Sequence, residues 1–210
     1  MNVQSEMLGA LVERRHGHTL PRRFYTDPAF HQLDLDRLFY REWLFAGHDC
    51  EVPRAGDYFT LQIGDYPVIV VRGRDGAIRA FHNSCRHRGS RVCAAERGSA
   101  VRLVCPYHNW SYDLDGRLLF ARDMGRDFDP RPLGLKPVHC ENVGGYVWLC
   151  VAREARNCPS GEISKRLGRP ISSQRAQWPA MKGSFIAPST PVTVGASGKV
   201  RQSSGWLGAQ

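Results

Sequence analysis

Short runs of β-branched and aromatic residues follow one another through the middle of the chain. Turn signals such as Gly64-Asp65 and Asp115-Gly116 separate them. The runs predict strands at residues 58–63, 68–72, 78–82, 101–105, 110–114, 118–121, 137–141 and 145–151. Because no helical pattern comes between them, they predict an all-β fold, an antiparallel sandwich or small barrel.

A helix is predicted ahead of the first strand. Asp34 is a suitable N-cap, and the apolar residues behind it recur at helical spacing and are expected in the core: Leu35, Leu38, Phe39 and Trp43. Residues 1–33 are polar and rich in Arg and His, which predicts an N-terminal arm. The domain is therefore expected to span residues 34–152, with the helix at its start.

The C-terminal segment differs from the rest in composition and in charge. Residues 153–210 show no helical or alternating period and are rich in Ser, Gly and Pro, which predicts an irregular tail, disordered or non-native. This segment holds nine Lys and Arg against two Asp and Glu, so it carries most of the net charge of +9. It lacks the interleaved aromatic residues of a single-strand binding surface, and no nucleic-acid partner is expected.

Hydropathy and cysteine content indicate the cellular compartment. The sequence has no apolar run of about 18 residues, so no membrane partner is expected. The apolar stretch at residues 7–12 is too short for a signal peptide, which predicts a cytoplasmic protein. Seven cysteines without a secretory signal favour metal chemistry over a disulfide framework.

Two short segments combine cysteine with histidine. Cys85 and His87 are separated by one residue, and Cys105 and His108 follow after 17 further residues. This interval places the two pairs on different loops, and each loop offers one thiolate and one imidazole. Four cysteines lie apart from these two segments and are interpreted as small core or loop residues: Cys50, Cys140, Cys150 and Cys158.

A structural zinc site and a two-iron cluster both use two cysteines and two histidines. Zinc fingers normally take both cysteines from one loop and both histidines from another. Here each loop supplies one of each, as in a Rieske centre, where two Cys bind one iron and two His bind the other. The pattern therefore favours one [2Fe–2S] cluster per chain on Cys85, His87, Cys105 and His108 over zinc. Imidazoles in place of thiolates make such a cluster less negative, which raises its reduction potential and suits a one-electron relay.

The chain from about residue 20 to residue 151 resembles the N-terminal Rieske domain of Rieske non-haem iron oxygenase α subunits. Within that family it resembles the quaternary-amine group, such as glycine betaine demethylase-type oxygenase components. The likeness rests on residues 42–47 (EWLFAG), 81–90 (FHNSCRHRGS), 105–112 (CPYHNWSY), 124–128 (MGRDF) and 144–147 (GGYV). One departure is Asn109, where many members have Gly.

The resemblance implies a function and its partners. Electrons from an NAD(P)H-dependent ferredoxin reductase would reach a mononuclear Fe(II) site that oxidatively demethylates a quaternary amine. Family members hold that iron in a further domain on two His and one carboxylate. All eight histidines of this chain lie at or before His139, so we expect a truncated or frame-shifted product that is inactive alone. The family's homo-oligomer, a trimer, is not expected of this chain in its truncated form.

A stand-alone Rieske ferredoxin is the alternative function. The long region before the first strand favours the oxygenase, because such ferredoxins are compact. Respiratory-type Rieske proteins have a Ser two residues after the last ligand, where this chain has Trp110. Fewer hydrogen bonds to the cluster would place its potential in the lower part of the Rieske range. Arginines around the ligand loops are candidates for steering an acidic reductase: Arg86, Arg88, Arg91, Arg97 and Arg102.

Overall fold

Antiparallel strands make up most of the regular secondary structure in the chain. The computed structural model describes residues 2–125, 127–156 and 158. The strands in this part are β1 (Leu44–His48), β2 (Asp57–Ile63), β3 (Tyr66–Arg72), β4 (Ile78–His82), β5 (Arg97–Ser99), β6 (Leu103–Val104), β7 (Ser111–Tyr112), β8 (Leu118–Phe120), β9 (Pro137–Val143) and β10 (Tyr146–Cys150). The all-β prediction is confirmed. Most of the predicted tail lies outside the described residues.

Two of these strands were not predicted, and both are edge strands. β1 pairs with β10, with an irregularity between Phe45 and Gly47. β5 is only three residues long and fully exposed, and it pairs with β2. Neither segment shows a clear alternation of apolar and polar residues, so the sequence pattern did not predict it. Each segment is extended because it pairs with a neighbouring strand, and local propensity contributes little. The strands predicted at residues 101–105 and 110–114 are shorter in the structure, with two residues each.

The strands form two sheets. The larger has the order β1-β10-β9-β4-β3-β2-β5, and the smaller has the order β6-β7-β8. Every ladder is antiparallel. The first Cys/His segment follows β4, in the centre of the larger sheet, and the second connects β6 to β7 in the smaller one. The two predicted ligand loops therefore belong to different sheets.

The larger sheet is buried on both faces at β3. Val68 and Val70 belong to one apolar cluster, whereas Ile69 and Val71 belong to another. Because both faces are buried, the sequence of β3 is a continuous apolar run and does not alternate between apolar and polar residues. The cluster on the Ile69 side also contains side chains from both ligand loops and the small sheet: Cys85, Cys93, Cys105, Trp110 and Tyr112. The candidate site is thus an extension of the core.

Helices precede the first strand: α1 (Val3–Val12), α2 (Arg23–Thr26) and α3 (Pro28–Asp34). The predicted helix start at Asp34 is wrong. Asp27 is the N-cap of α3, since its carboxylate accepts from Ala29 N at 3.0 Å, and proline at the first helical position assists it. No helix of the described residues is both long and apolar enough to cross a bilayer.

The expected apolar stripe behind Asp34 is also wrong. α3 runs into a π-helical turn over Leu35–Phe39, in which Tyr40 N donates to Leu35 O. The wider turn displaces the side chains from the expected face, and Leu38 and Phe39 are exposed. Trp43 lies beyond the helix, and its indole N–H donates to Arg156 O at 2.7 Å. Phe30 is the buried residue of α3.

Candidate metal centre

The first ligand loop is a tight turn after β4. Cys85 N donates to Ser90 O at 2.8 Å, and Gly89 N donates back to Cys85 O at 2.9 Å. Gly89 has a φ of +72°, a left-handed conformation that glycine adopts without steric cost. These bonds place Cys85 and His87 on one rigid turn.

The second ligand loop repeats this geometry. Cys105 N donates to Trp110 O at 2.8 Å, and Asn109 N donates to Cys105 O at 3.0 Å. Asn109 has a φ of 58°, and asparagine is among the few non-glycine residues that tolerate it. Asn109 therefore occupies the position in the second loop that Gly89 occupies in the first. This explains why many members of the family that the chain resembles have glycine at the position of Asn109.

A buried asparagine anchors the first loop. The side chain of Asn83 is 1% exposed. Its Oδ1 accepts from Val92 N and Cys93 N, both at 2.9 Å, and its Nδ2 donates to Cys93 O at 2.7 Å. One side chain thus holds the two ends of the loop that carries Cys85 and His87. The pattern of residues along the chain did not predict this role for Asn83.

The two loops bring like side chains together. The buried thiols of Cys85 and Cys105 are close enough to interact. The rings of His87 and His108 lie 4.6 Å apart between centroids, at an interplanar angle of 74°. Within the described residues, no three His, Cys, Asp or Glu side chains gather at one point as ligands of a single ion. A pair of thiols beside a pair of imidazoles is the donor set of a two-iron cluster, with one pair for each iron.

Burial differs between the two pairs. Cys85 and Cys105 are 4% and 1% exposed, whereas His87 and His108 are half-buried. The cysteines thus lie on the core side and the histidines towards the surface. Burial raises the pKa of the Cys85 thiol. Burial, assisted by the charges of His108 and Arg88, lowers the pKa of His87, which favours the neutral imidazole that binds metal.

The polar atoms of the site test whether a metal group fits. The Nδ1 atom of His87 is buried and has no hydrogen-bond partner among the described residues. Buried polar atoms are almost always satisfied, so an unpartnered imidazole nitrogen indicates a ligand atom. Together with the paired thiols, it fits a [2Fe–2S] group.

Tyr112 contributes a hydroxyl to the site, which was not predicted from the sequence. It is fully buried, and its Oη lies 3.1 Å from Cys85 Sγ and 3.0 Å from Arg86 N. The Arg86 N–H donates to this oxygen, which leaves the hydroxyl hydrogen for the sulfur. The position of Tyr112 in CPYHNWSY was the available signal, but only the fold places it beside a cysteine 27 residues away.

The family model of the Rieske [2Fe–2S] domain matches residues 42–132, a range that contains both loops and the four paired side chains. Residues 42–132 form a Rieske domain. The cofactor of a Rieske domain is a [2Fe–2S] cluster, as the sequence predicted.

Several relatives of this Rieske domain are oxygenase components. The oxygenase subunit of glycine betaine monooxygenase from Pseudomonas aeruginosa is 51% identical over 143 residues, which cover 68% of this chain and 33% of that protein. Subunit alpha of biphenyl 2,3-dioxygenase from Rhodococcus jostii is 46% identical over 112 residues, which cover 53% of this chain and 24% of that protein. The chain spans about a third of the length of the first of these relatives, and less of the second.

A solved structure agrees with these relatives. The quaternary ammonium Rieske monooxygenase CntA, in complex with its substrate L-carnitine, matches with a TM-score of 0.61 and 27% identity. The match covers 69% of this chain and 44% of that one. These likenesses confirm the predicted resemblance to Rieske oxygenases, which here include a glycine betaine monooxygenase, a quaternary ammonium monooxygenase and the alpha subunit of a dioxygenase.

The arginines around the ligand loops do not form one free patch. Arg97 pairs with Glu51, and Arg91 donates to Gln62 Oε1. Arg88 and Arg102 are exposed and make no ion pair with a described residue. The positive surface available near His87 is thus smaller than the sequence indicated.

Proposed function

We propose that Cys85, His87, Cys105 and His108 hold one [2Fe–2S] cluster and that the domain relays single electrons. The pairing of thiol with thiol and of imidazole with imidazole carries this proposal. When bound, the cluster supplies reversible one-electron redox chemistry. The buried cysteines shield one side of it from water, and the half-buried histidines offer the route by which electrons enter and leave.

The ligand set is tested by metal analysis of the anaerobically purified chain. We expect two irons and two acid-labile sulfides per chain, with a Rieske-type EPR signal after reduction. Cys85→Ser should lose the signal, whereas the matched control Cys50→Ser should keep it, because Cys50 is exposed and outside the site. Stoichiometric zinc without sulfide would contradict the proposal.

The domain is the electron-transfer part of an oxygenase α subunit that oxidises a quaternary amine, and the reaction is N-demethylation. The relatives named above support this substrate class, since one acts on glycine betaine and another on L-carnitine. Electrons come from an NAD(P)H-dependent ferredoxin reductase in the cytoplasm and pass to a mononuclear Fe(II) held by two His and a carboxylate outside the Rieske domain. A quaternary ammonium substrate would suit an aromatic cage there.

The oxygenase assignment is tested by translating the DNA that follows codon 151 in all three frames. A segment with two histidines and a carboxylate at metal-ligand spacing is expected in one of them. If no frame contains such a segment, the stand-alone Rieske ferredoxin becomes the better assignment. The helices ahead of β1 favour the oxygenase, because stand-alone Rieske ferredoxins are compact.

A further inference from the structure

Trp110 lies against the proposed cluster ligands and has an unsatisfied donor. Its side chain is 2% exposed, and its ring stacks on His87 at 4.8 Å between centroids and 9° between planes. Phe128 packs edge-on against it at 5.8 Å. The indole Nε1–H has no acceptor among the described residues. An indole nitrogen only donates, so this N–H requires an acceptor that the protein does not provide.

The unsatisfied atom of Trp110 is one of a group. In the part of the chain that the structure describes, three buried side-chain nitrogen or oxygen atoms lack a hydrogen-bond partner: Arg86 Nε, His87 Nδ1 and Trp110 Nε1. All three belong to the ligand loops or to the ring stacked on them. Buried polar groups are otherwise paired in proteins, so three exceptions in one place indicate a common missing partner. That partner binds an imidazole nitrogen and accepts hydrogen bonds.

We propose that the indole N–H of Trp110 donates a hydrogen bond to a sulfur atom of the [2Fe–2S] cluster. The inference rests on the ligand set proposed above. Sulfur is the acceptor in this group, because the irons accept no hydrogen bonds and the ligand nitrogens are occupied by metal. Trp110 is thus a positioning residue that also sets the reduction potential. Its indole N–H takes the place of the serine hydroxyl that respiratory-type Rieske proteins have at this position.

The hydrogen bond has a direct electrochemical consequence. One-electron reduction adds a negative charge to the cluster, and a donor to sulfur stabilises the more negative state. The Trp110 donor therefore raises the midpoint potential. Trp110→Phe removes the N–H and keeps an aromatic ring on His87, so the equilibrium constant for reduction should fall several-fold.

The decisive measurement uses the unaltered chain. Protein with ¹⁵N in its tryptophan indoles is reduced and studied by pulsed EPR, which detects nitrogen and exchangeable protons coupled to the cluster. We expect an indole ¹⁵N coupling besides the two histidine couplings. The coupling should vanish in Trp110→Phe and persist in Trp148→Phe, because Trp148 lies on β10 and packs against Phe45 on β1, outside the ligand loops. Redox titration of both variants should show the lowered potential in Trp110→Phe alone.

The outcomes separate the two proposals. A chain with two irons, two sulfides and a Rieske signal but no indole coupling overturns the Trp110 hydrogen bond and leaves the ligand set intact. An unchanged potential in Trp110→Phe does the same. A chain that binds no iron–sulfur cluster overturns the ligand set and the inference with it. The absence of an indole coupling in the unaltered chain overturns the hydrogen bond even if Trp110→Phe fails to fold.

Discussion

The hydroxyl of Tyr112 lies 3.1 Å from the sulfur of Cys85, across a gap of 27 residues in the chain. The hydroxyl also accepts from Arg86 N at 3.0 Å, so its orientation is determined on both sides. Desolvation and the contact with Cys85 raise the pKa of Tyr112, which keeps the hydroxyl protonated as a donor. The smaller sheet thus delivers a hydrogen bond to a proposed ligand on the larger one.

Tyr112→Phe should therefore lower the midpoint potential. A hydrogen bond that favours the reduced state by about 1 kcal/mol corresponds to about 40 mV for one electron. Redox titration followed by EPR measures the difference, with Tyr107→Phe as the control, because Tyr107 is exposed. Equal potentials for Tyr112→Phe and the unaltered chain would show that the hydroxyl does not donate to the sulfur.

Replacing a proposed histidine ligand should lower the potential further. His108→Cys substitutes a thiolate for a neutral imidazole and makes the cluster more negative, which disfavours reduction. The measurement is a redox titration of protein with verified iron and sulfide content. A potential at or above that of the unaltered chain would contradict the assignment of His108 as a ligand.

The loop anchored by Asn83 should be sensitive to loss of its amide. Asn83→Leu keeps the approximate volume but leaves two backbone N–H groups and one carbonyl unsatisfied in the core. Buried unsatisfied groups cost about 1–3 kcal/mol each, so we expect a loss of about 3 kcal/mol or more in the free energy of unfolding. Urea denaturation checks this against Asn142→Leu, an exposed site on β9. Similar losses in both variants would rule out the anchoring role.

Reduction by the proposed reductase partner should depend on ionic strength through Arg88. This residue is exposed, and its charge reaches His87. If the reductase presents an acidic surface, the second-order rate constant should fall with added salt and fall again in Arg88→Ser. Arg37→Ser is the matched control, because Arg37 lies on the π-helical turn before β1. A rate independent of salt would leave the arginines as ordinary surface residues.

Cys93 should make the protein less stable at alkaline pH. Burial raises the pKa of its thiol to about 11, against 9.0 for an unperturbed thiol. Below pH 9 the thiol is neutral in both the folded and the unfolded state, so it contributes no pH dependence there. Between the two pKa values only the unfolded state ionises, and the free energy of unfolding falls as pH rises, by about 1.4 kcal/mol at pH 10.

The variant Cys93→Ala isolates this contribution. Its free energy of unfolding should be lower at every pH, because a buried side chain is shortened, but the decline between pH 8 and pH 10 should be smaller than in the unaltered chain. Urea denaturation at both pH values gives the two slopes. Identical slopes would contradict the raised pKa of Cys93.

Local patterns in the sequence determined the strands and the identity of the candidate ligands. Strands such as β4 were predicted with their observed bounds, because alternation and turn residues act within a few positions of the chain. The spacing of Cys85, His87, Cys105 and His108 likewise placed them on two separate loops. The helix start was misplaced because Asp27 and Asp34 are both good caps, and the sequence does not say which one the chain uses.

Only the tertiary structure decided what surrounds those ligands. Packing of the small sheet against the larger one brings Tyr112 to Cys85 and stacks Trp110 on His87. These contacts join residues more than 20 positions apart, and no local period encodes them. Motif positions alone therefore did not predict that the Tyr112 hydroxyl and the Trp110 indole N–H are hydrogen-bond donors near the proposed cluster. Their positions follow from which faces the two sheets bury together, and no local pattern shows that the Tyr112 hydroxyl meets a sulfur there while the Trp110 indole N–H is left without an acceptor among the described residues.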